Sequence, residues 1–144
     1  MFPRKILWCL LLVEFLYRKE KSGLLGEILR PIAQLEIKSE KSDWYPVIMY
    51  VDSGADISLV PRNFGLLLGL DLTQNLGQIR GIGEAIVPLS LQDIILRIEE
   101  QEMQVRIAVA LINEVPYVLG RYDFFKLFNI SFQECKSKVV IEKA

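Results

Sequence analysis

The chain contains no histidine among its 144 residues. This absence excludes Ser-His-Asp and Cys-His catalysis, histidine-ligated metal sites and any imidazole general base. Acid–base chemistry therefore has to come from carboxylates, lysine, tyrosine or one of the two cysteines. Cys9 and Cys135 are far apart and have no metal-ligand spacing, so we expect two buried, unreactive thiols, no metal site and no cofactor.

The sequence also lacks a block of charge of one sign. Its 17 basic and 18 acidic side chains are interspersed and give a net charge of −1. Nucleic-acid binding requires a basic stripe, so we expect no nucleic-acid partner. Hydrophobic residues make up 51% of the chain, which is enough for a packed core, and the length suits one domain.

Residues 1–25 are an apolar extension that differs from the rest of the chain. Arg4-Lys5 precedes an apolar run, Ile6 to Val13, as in a secretory signal, but no small-residue cleavage site follows. The run is also shorter than the roughly 20 apolar residues that span a bilayer. Three interpretations stay open: an extra helix or strand packed on the domain, a membrane-surface or signal-like segment through residues 1–21, or an extension from a mis-assigned start codon. We expect a cytoplasmic protein, with membrane association as the alternative.

Residues 26–144 consist of short apolar stretches separated by glycine, proline and charged turns. The segments Leu89 to Glu99 and Met103 to Ile112 alternate between apolar and polar residues, the first with one slip near Ile94. Helical turns are expected only at Arg62 to Leu72 and at Tyr122 to Phe128. Many short strands with little helix predict an all-β barrel or sandwich.

The tripeptide Asp52-Ser53-Gly54 follows an apolar run, Val47 to Val51. A carboxylate at the end of a buried strand costs several kcal/mol unless neighbouring groups compensate it. A hydroxyl and a glycine that allows a tight turn supply such groups here. This pattern is what an aspartic peptidase needs, and it occurs only once in the chain.

Three segments together resemble the retropepsin-like aspartic proteases, which include the retroviral enzymes and a cellular prokaryotic branch. They are Val51 to Ser58, Gly81-Ile82-Gly83 and Val118 to Phe125, in the order and spacing of that family. The stretch Leu119 to Phe132 is more similar to the prokaryotic branch. The resemblance implies a retropepsin-like closed β-barrel or sandwich, with a flap hairpin and one short C-terminal helix, in a protease domain over residues 26–144.

The resemblance further implies an aspartic endopeptidase that works as a symmetric homodimer. In this family two aspartates face each other and share one proton, because like charges about 3 Å apart cannot both ionise. Since the chain supplies one copy, Asp52 would be the catalytic residue of each subunit, with the active site on the two-fold axis. The substrate would be an extended peptide or unfolded protein, bound as an added strand.

The resemblance assigns supporting roles to residues around Asp52. Ser53 would brace the two loops across the dimer, and Asp56 would pair with Arg121 as a buried carboxylate–guanidinium fork. The residues expected to contact substrate are Gly54, Ala55, Asp56, Gly81, Ile82 and Gly83. Apolar subsites are expected around Ile57, Ile82, Ile86 and Val118. One departure is Glu84, where viral flaps often have glycine.

A second hypothesis keeps the fold and removes the chemistry. In it the chain is a catalytically silent module for dimerisation or peptide binding, with the two Asp52 carboxylates too far apart to share a proton.

Overall fold

The computed structural model describes residues 11–144. These residues form one short α-helix, α1 (Arg62–Leu67), and twelve β-strands. The strands are β1 (Leu12–Leu16), β2 (Arg18–Ser22), β3 (Gly26–Arg30), β4 (Ile32–Lys38), β5 (Tyr45–Val51), β6 (Ser58–Val60), β7 (Leu76–Arg80), β8 (Ile86–Ile98), β9 (Gln101–Ala110), β10 (Val118–Leu119), β11 (Phe128–Gln133) and β12 (Lys138–Lys143).

Six of these strands close into a barrel. The order is β4-β5-β10-β6-β9-β8, and a further pairing of β4 with β8 joins the two ends. Strand β7 extends the sheet beyond β8. Two of the neighbouring pairs are parallel, β10 with β5 and β6 with β9. The predicted all-β barrel is confirmed.

The core lies on both faces of this sheet. Ile94, Leu96 and Ile98 of β8 belong to the main cluster, whereas Leu89 belongs to a second, smaller one. Successive side chains of a strand point to opposite faces, and the register of β8 with β9 is continuous from Leu89 to Ile98. The slip in the sequence pattern is therefore a change of buried face and not a bulge. Ser90, placed on the polar face by the pattern, is fully buried.

The described part of the N-terminal extension is β-structure. Strand β1 pairs antiparallel with β12, which in turn pairs with β11. Tyr17 follows β1 and is buried; burial and a hydrogen bond to Glu134 raise the pKa of its phenol to about 12. Of the open interpretations, an extra helix or strand packed on the domain agrees with residues 12–16, which form a strand. The division of the chain at residue 25 stays a prediction.

Two other expectations need correction. The short C-terminal helix is a single irregular π-type turn, Arg121–Phe125, in which Tyr122 and Asp123 have non-helical backbone angles. Asp123 accepts hydrogen bonds from the backbone N–H of Arg106, at 2.9 Å, and from its Nε, so it ties the turn to β9. Cys135 is exposed and not buried, while Cys9 lies outside the described residues. No helix within residues 11–144 has the length and hydropathy needed to cross a bilayer.

Candidate active site

Asp52 lies directly after β5, on a loop that we call the Asp52 loop, residues 52–57. Its backbone N–H donates to the carbonyl of Leu119 at 3.1 Å, and its own carbonyl accepts from Ala55 at 3.2 Å. The N–H of Gly54 donates to the carboxylate Oδ1 at 2.9 Å. The loop thus holds one carboxylate oxygen in place, while the side chain is exposed in the single chain.

The Asp52 loop is joined to the segment that follows β10. The N–H of Arg121 donates to the carbonyl of Ala55 at 2.9 Å, and the N–H of Tyr122 donates to the carbonyl of Asp56 at 2.8 Å. Strand β10 itself lies between β5 and β6, which are the strands before and after the loop. Two of the three sequence motifs therefore form one hydrogen-bonded unit.

Gly120 allows the Asp52 loop and the segment after β10 to pack closely together. Its N–H donates to the hydroxyl of Ser58 at 3.0 Å, and both residues are buried. A Cβ added at Gly120 would lie 2.5 Å from the carbonyl carbon and oxygen of Ile57. Because those atoms are backbone, they cannot turn away, so only glycine lets the two segments approach so closely.

Asp56 and Arg121 form an ion pair. One guanidinium nitrogen lies 3.1 Å from Oδ1 of Asp56. The contact is single, and the side chains are 91% and 59% exposed in the isolated chain. The expected buried, two-contact fork is therefore not present within one subunit.

Gly81, Ile82 and Gly83 lie on a different element, the tip between β7 and β8. We call residues 81–85 the Ile82 tip. The N–H of Gly81 donates to the carbonyl of Ala85 at 2.7 Å and closes the turn. Gly83 has φ of 74°, and the Ile82 side chain is fully exposed. Glu84 also has a positive φ, 66°, a left-handed conformation that favours glycine.

The second apolar cluster connects these two elements. Ile57 of the Asp52 loop packs against it, and so do Ile79 and Val87 from the two strands of the Ile82 hairpin. The other members and neighbours are Leu59, Leu89, Ala108, Ala110, Val115 and Val118. Most of this set was missed by the sequence reasoning, although the change of buried face in β8 was its signal.

A charged cluster lies on the strand that leads to Asp52. Arg18 and Arg30 stack on the ring of Tyr50, 5.4 and 5.7 Å from its centre. Glu20 accepts hydrogen bonds from Arg18 and from the Tyr50 hydroxyl, the latter at 2.8 Å. Burial alone would raise the pKa of Glu20, but the hydrogen bonds from Tyr50 and Arg18 outweigh it and hold that pKa below its ordinary value.

A groove on the described residues lies away from the Asp52 loop. It measures about 680 Å³ and is lined by residues such as Lys41, Asp71, Asp93 and Glu102, none of them a predicted site residue. Nor does any cluster of three or more potential metal ligands occur within residues 11–144. Asp52 does not line this groove.

The architecture is similar to two solved structures. A retropepsin-like aspartic protease from Rickettsia conorii aligns with a TM-score of 0.59 at 17% identity, over 98% of this chain and 96% of that one. The EIAV protease complexed with the inhibitor HBY-793 aligns with a TM-score of 0.52 at 22% identity, over 71% of this chain and 88% of that one. This chain has the retropepsin-like fold. No protein-family model and no curated protein matches its sequence.

The retropepsin-like fold agrees with the resemblance stated from the motifs. At these identities it establishes the architecture alone. The chemistry of the site has to be argued from the residues themselves.

Proposed function

We propose that the chain is an aspartic endopeptidase that is active as a homodimer, with one Asp52 from each subunit at the catalytic centre. The observation that carries the proposal is the exposed Asp52 carboxylate on a loop bound by hydrogen bonds to the segment after β10, in a chain with the retropepsin-like fold. One subunit offers half of a catalytic pair, because the Asp-Ser-Gly sequence occurs once. A two-fold axis between two such loops would complete it.

The reaction needs two carboxylates that share one proton. The ionised Asp52 takes a proton from a water molecule, whose oxygen attacks the carbonyl carbon of the peptide bond. The protonated Asp52 of the partner donates its proton to the carbonyl oxygen, and a tetrahedral diol forms. The C–N bond then breaks as the leaving amine accepts a proton from one carboxyl group of the pair. One hydroxyl of the diol gives its proton to the other carboxylate as the new carboxyl group forms, so the pair again holds one proton. No covalent intermediate with the enzyme is formed.

The surrounding residues support this chemistry in distinct ways. Gly54 holds Oδ1 of Asp52 through its N–H, which would fix the direction of the carboxylate in the dimer. Ser53, exposed in the single chain, would reach the partner's loop and brace the pair. Asp56, Ala55 and the backbone of Gly54 would bind the substrate main chain, and Arg121 would keep Asp56 in place.

The second apolar cluster supports a substrate with apolar side chains. It lies against both Ile57 and the strands of the Ile82 hairpin, so it would form the wall between the Asp52 loop and a flap made of Gly81, Ile82 and Gly83. An extended peptide bound as an added strand would place alternate side chains against this wall. The exposed Ile82 would cover the peptide from above.

Peptide cleavage by the wild type and by Asp52→Asn tests the proposal directly. Unstructured peptides rich in apolar residues are incubated with each protein between about pH 4 and pH 7, and products are identified by mass spectrometry. Removal of the acid–base group should lower the rate by roughly 10²–10⁴-fold or more. The control is Asp43→Asn, an exposed aspartate in the segment before β5, which should leave the rate unchanged.

A mixing experiment tests whether two Asp52 residues act together. Adding an equal amount of Asp52→Asn chain to the wild type should lower the wild-type rate to about half, since random pairing leaves half of the wild-type subunits in mixed dimers. An unchanged rate would contradict a shared site. Peptide binding without turnover by the wild type would instead support the silent binding module.

A further inference from the structure

Strands β2 and β3 form a hairpin that we call the arm, residues 18–30. They pair with each other and with no other described strand. Its tip carries Leu24 and Leu25, which are 89% and 70% exposed. An isolated two-stranded hairpin is marginally stable in water, and adjacent exposed leucines at its end are unfavourable there. The arm therefore has the character of a segment that packs against something outside its own subunit.

The root of the arm lies close to Asp52. The arm ends at Arg30, and the carbonyl of the next residue, Pro31, accepts the backbone N–H of Val51 at 3.1 Å. Arg18 and Arg30 stack on Tyr50, two residues before Asp52. Each strand of the arm has five residues, or roughly 16 Å of length. The arm is thus attached to the strand that positions the candidate catalytic group.

We propose that the arm packs on the partner subunit in the dimer and is one of the contacts that hold the dimer together. This inference rests on the proposed function, which places the two-fold axis between the two Asp52 residues. A segment that is attached two residues away, and that pairs with no other described strand, lies beside that axis and beside the partner. Leu24 and Leu25 would supply the buried apolar centre of the contact.

The charges of the arm fit a protein surface better than an anionic membrane. Arg18 and Arg30 both contact Glu20, and Lys19 lies 3.8 Å from Glu27. Three of its four basic side chains therefore contact a carboxylate of the arm, although Arg18 and Arg30 share Glu20, and the arm keeps more basic than acidic side chains. Attraction to anionic lipid depends on clusters of unneutralised Lys and Arg, and a mixed, internally paired surface around two leucines is typical of the rim and centre of a protein interface.

The test measures dimerisation of a double variant, Leu24→Ser with Leu25→Ser. Sedimentation equilibrium should show the dimer dissociation constant raised by at least about tenfold, because two leucines lose their burial. The matched control is Leu66→Ser with Leu67→Ser on α1, whose leucines are 45% and 53% exposed and which should leave dimerisation unchanged. Circular dichroism checks that both variants stay folded.

Peptide cleavage separates this inference from the proposed function. At a concentration at which the wild type is mostly dimeric, the arm variant should cleave slowly, and its rate should recover as its own concentration is raised. A dimer with Asp52-dependent cleavage and an unchanged dissociation constant in the arm variant would overturn the arm contact alone. Weaker dimerisation without any cleavage by the wild type would overturn the proposed function alone.

Two further results would also overturn the arm contact. One is a wild type that stays monomeric at every concentration, which would overturn the proposed function as well. The other is an unchanged dissociation constant together with loss of binding to phosphatidylserine vesicles, which would assign the leucines to a membrane surface.

Discussion

The Asp52 loop and the Ile82 tip are both short, glycine-containing turns, but the structure holds them very differently. The Asp52 loop is bound by backbone hydrogen bonds to Leu119, Arg121 and Tyr122. A Cβ added at Gly83 in the Ile82 tip would meet nothing within 4 Å, and two successive residues there have positive φ. One turn is fixed by its neighbours, and the other is held by its own hairpin alone.

This difference matches what each turn would do in a peptidase. A catalytic carboxylate has to be placed within a fraction of an ångström, so its loop needs partners on several sides. A cover over a peptide has to move for the substrate to enter and the products to leave. The same residue type, glycine, therefore serves close packing at Gly120 and backbone freedom at Gly83.

Gly120→Ala should be the most damaging change. Its Cβ would lie 2.5 Å from backbone atoms of Ile57, so the Asp52 loop or β10 would have to shift. We expect a loss of about 3 kcal/mol or more in the free energy of unfolding, measured by urea denaturation. Gly77→Ala is the matched control, because its Cβ would lie at an ordinary 3.8 Å from Leu89. Equal stability of the two variants would show that the loop is not held as tightly as described.

Ser58→Ala should weaken the contact between the Asp52 loop and the segment after β10, but less than Gly120→Ala does. It removes the hydroxyl that accepts the N–H of Gly120 at 3.0 Å and leaves a buried donor without its partner. Such a loss costs about 1–3 kcal/mol, measurable by the same unfolding experiment. Ser131→Ala, at an exposed serine on β11, should change stability by less than about 0.5 kcal/mol. If the Ser58 variant is as stable as this control, the hydrogen bond between Gly120 and Ser58 does not stabilise the fold.

Gly83→Ala should affect cleavage more than stability. With φ of 74°, alanine there costs roughly 1 kcal/mol in a left-handed conformation, but the tip has no neighbours through which to spread the strain. We expect unfolding to change by about 1 kcal/mol or less and the peptide cleavage rate to fall. For stability, Gly81→Ala is the comparison, since Gly81 has a negative φ of −96°. If the Gly83 variant cleaves peptides at the wild-type rate, the Ile82 tip does not control the entry of substrate.

Glu20→Gln should produce the smallest effect, at the root of the arm. Because the folded protein holds the pKa of Glu20 below its ordinary value near 4.5, the carboxylate stabilises the fold above that value. This contribution is lost as the pH falls through the lowered pKa. The wild type should therefore exceed the variant by about 1 kcal/mol or less near neutral pH, and the difference should shrink below about pH 4.5. Glu27→Gln, at a largely exposed position, should show no such trend, and a pH-independent difference for Glu20 would argue against ionic anchoring.

Local patterns were sufficient for much of the fold. Alternation along β8 and β9 predicted the strands, and the Gly81-Ile82-Gly83 sequence predicted a hairpin turn, because both depend on residues close in the chain. Local patterns predicted a short C-terminal helix where the structure has an irregular turn, Arg121–Phe125. A carboxylate near a helix start is ordinarily favourable, but Asp123 instead accepts hydrogen bonds from Arg106, which is 17 residues away and reached only through the barrel.

The candidate site also has one part that the sequence predicts and one part that it does not. Asp52, Ser53 and Gly54 are recognisable as a motif because the chemistry needs adjacent residues. The apolar wall is not, since Leu59, Leu89 and Ala108 come from three different strands. Leu59 and Ala108 alternate with neighbours in the main core, and Leu89 lies on the same strand as Ile94 of that core. The sequence alone marks all of them as buried and does not say on which face of the sheet.

The amino-acid sequence by itself determined that the chain would be an all-β protein with a single Asp-Ser-Gly turn after an apolar strand and no histidine chemistry. Only the tertiary structure decided that β10 enters between β5 and β6, that Gly120 packs against the backbone of Ile57, and that the arm is anchored beside Asp52. The reason is that strand identity follows from local alternation, whereas parallel pairing and close backbone approach depend on segments far apart in the chain.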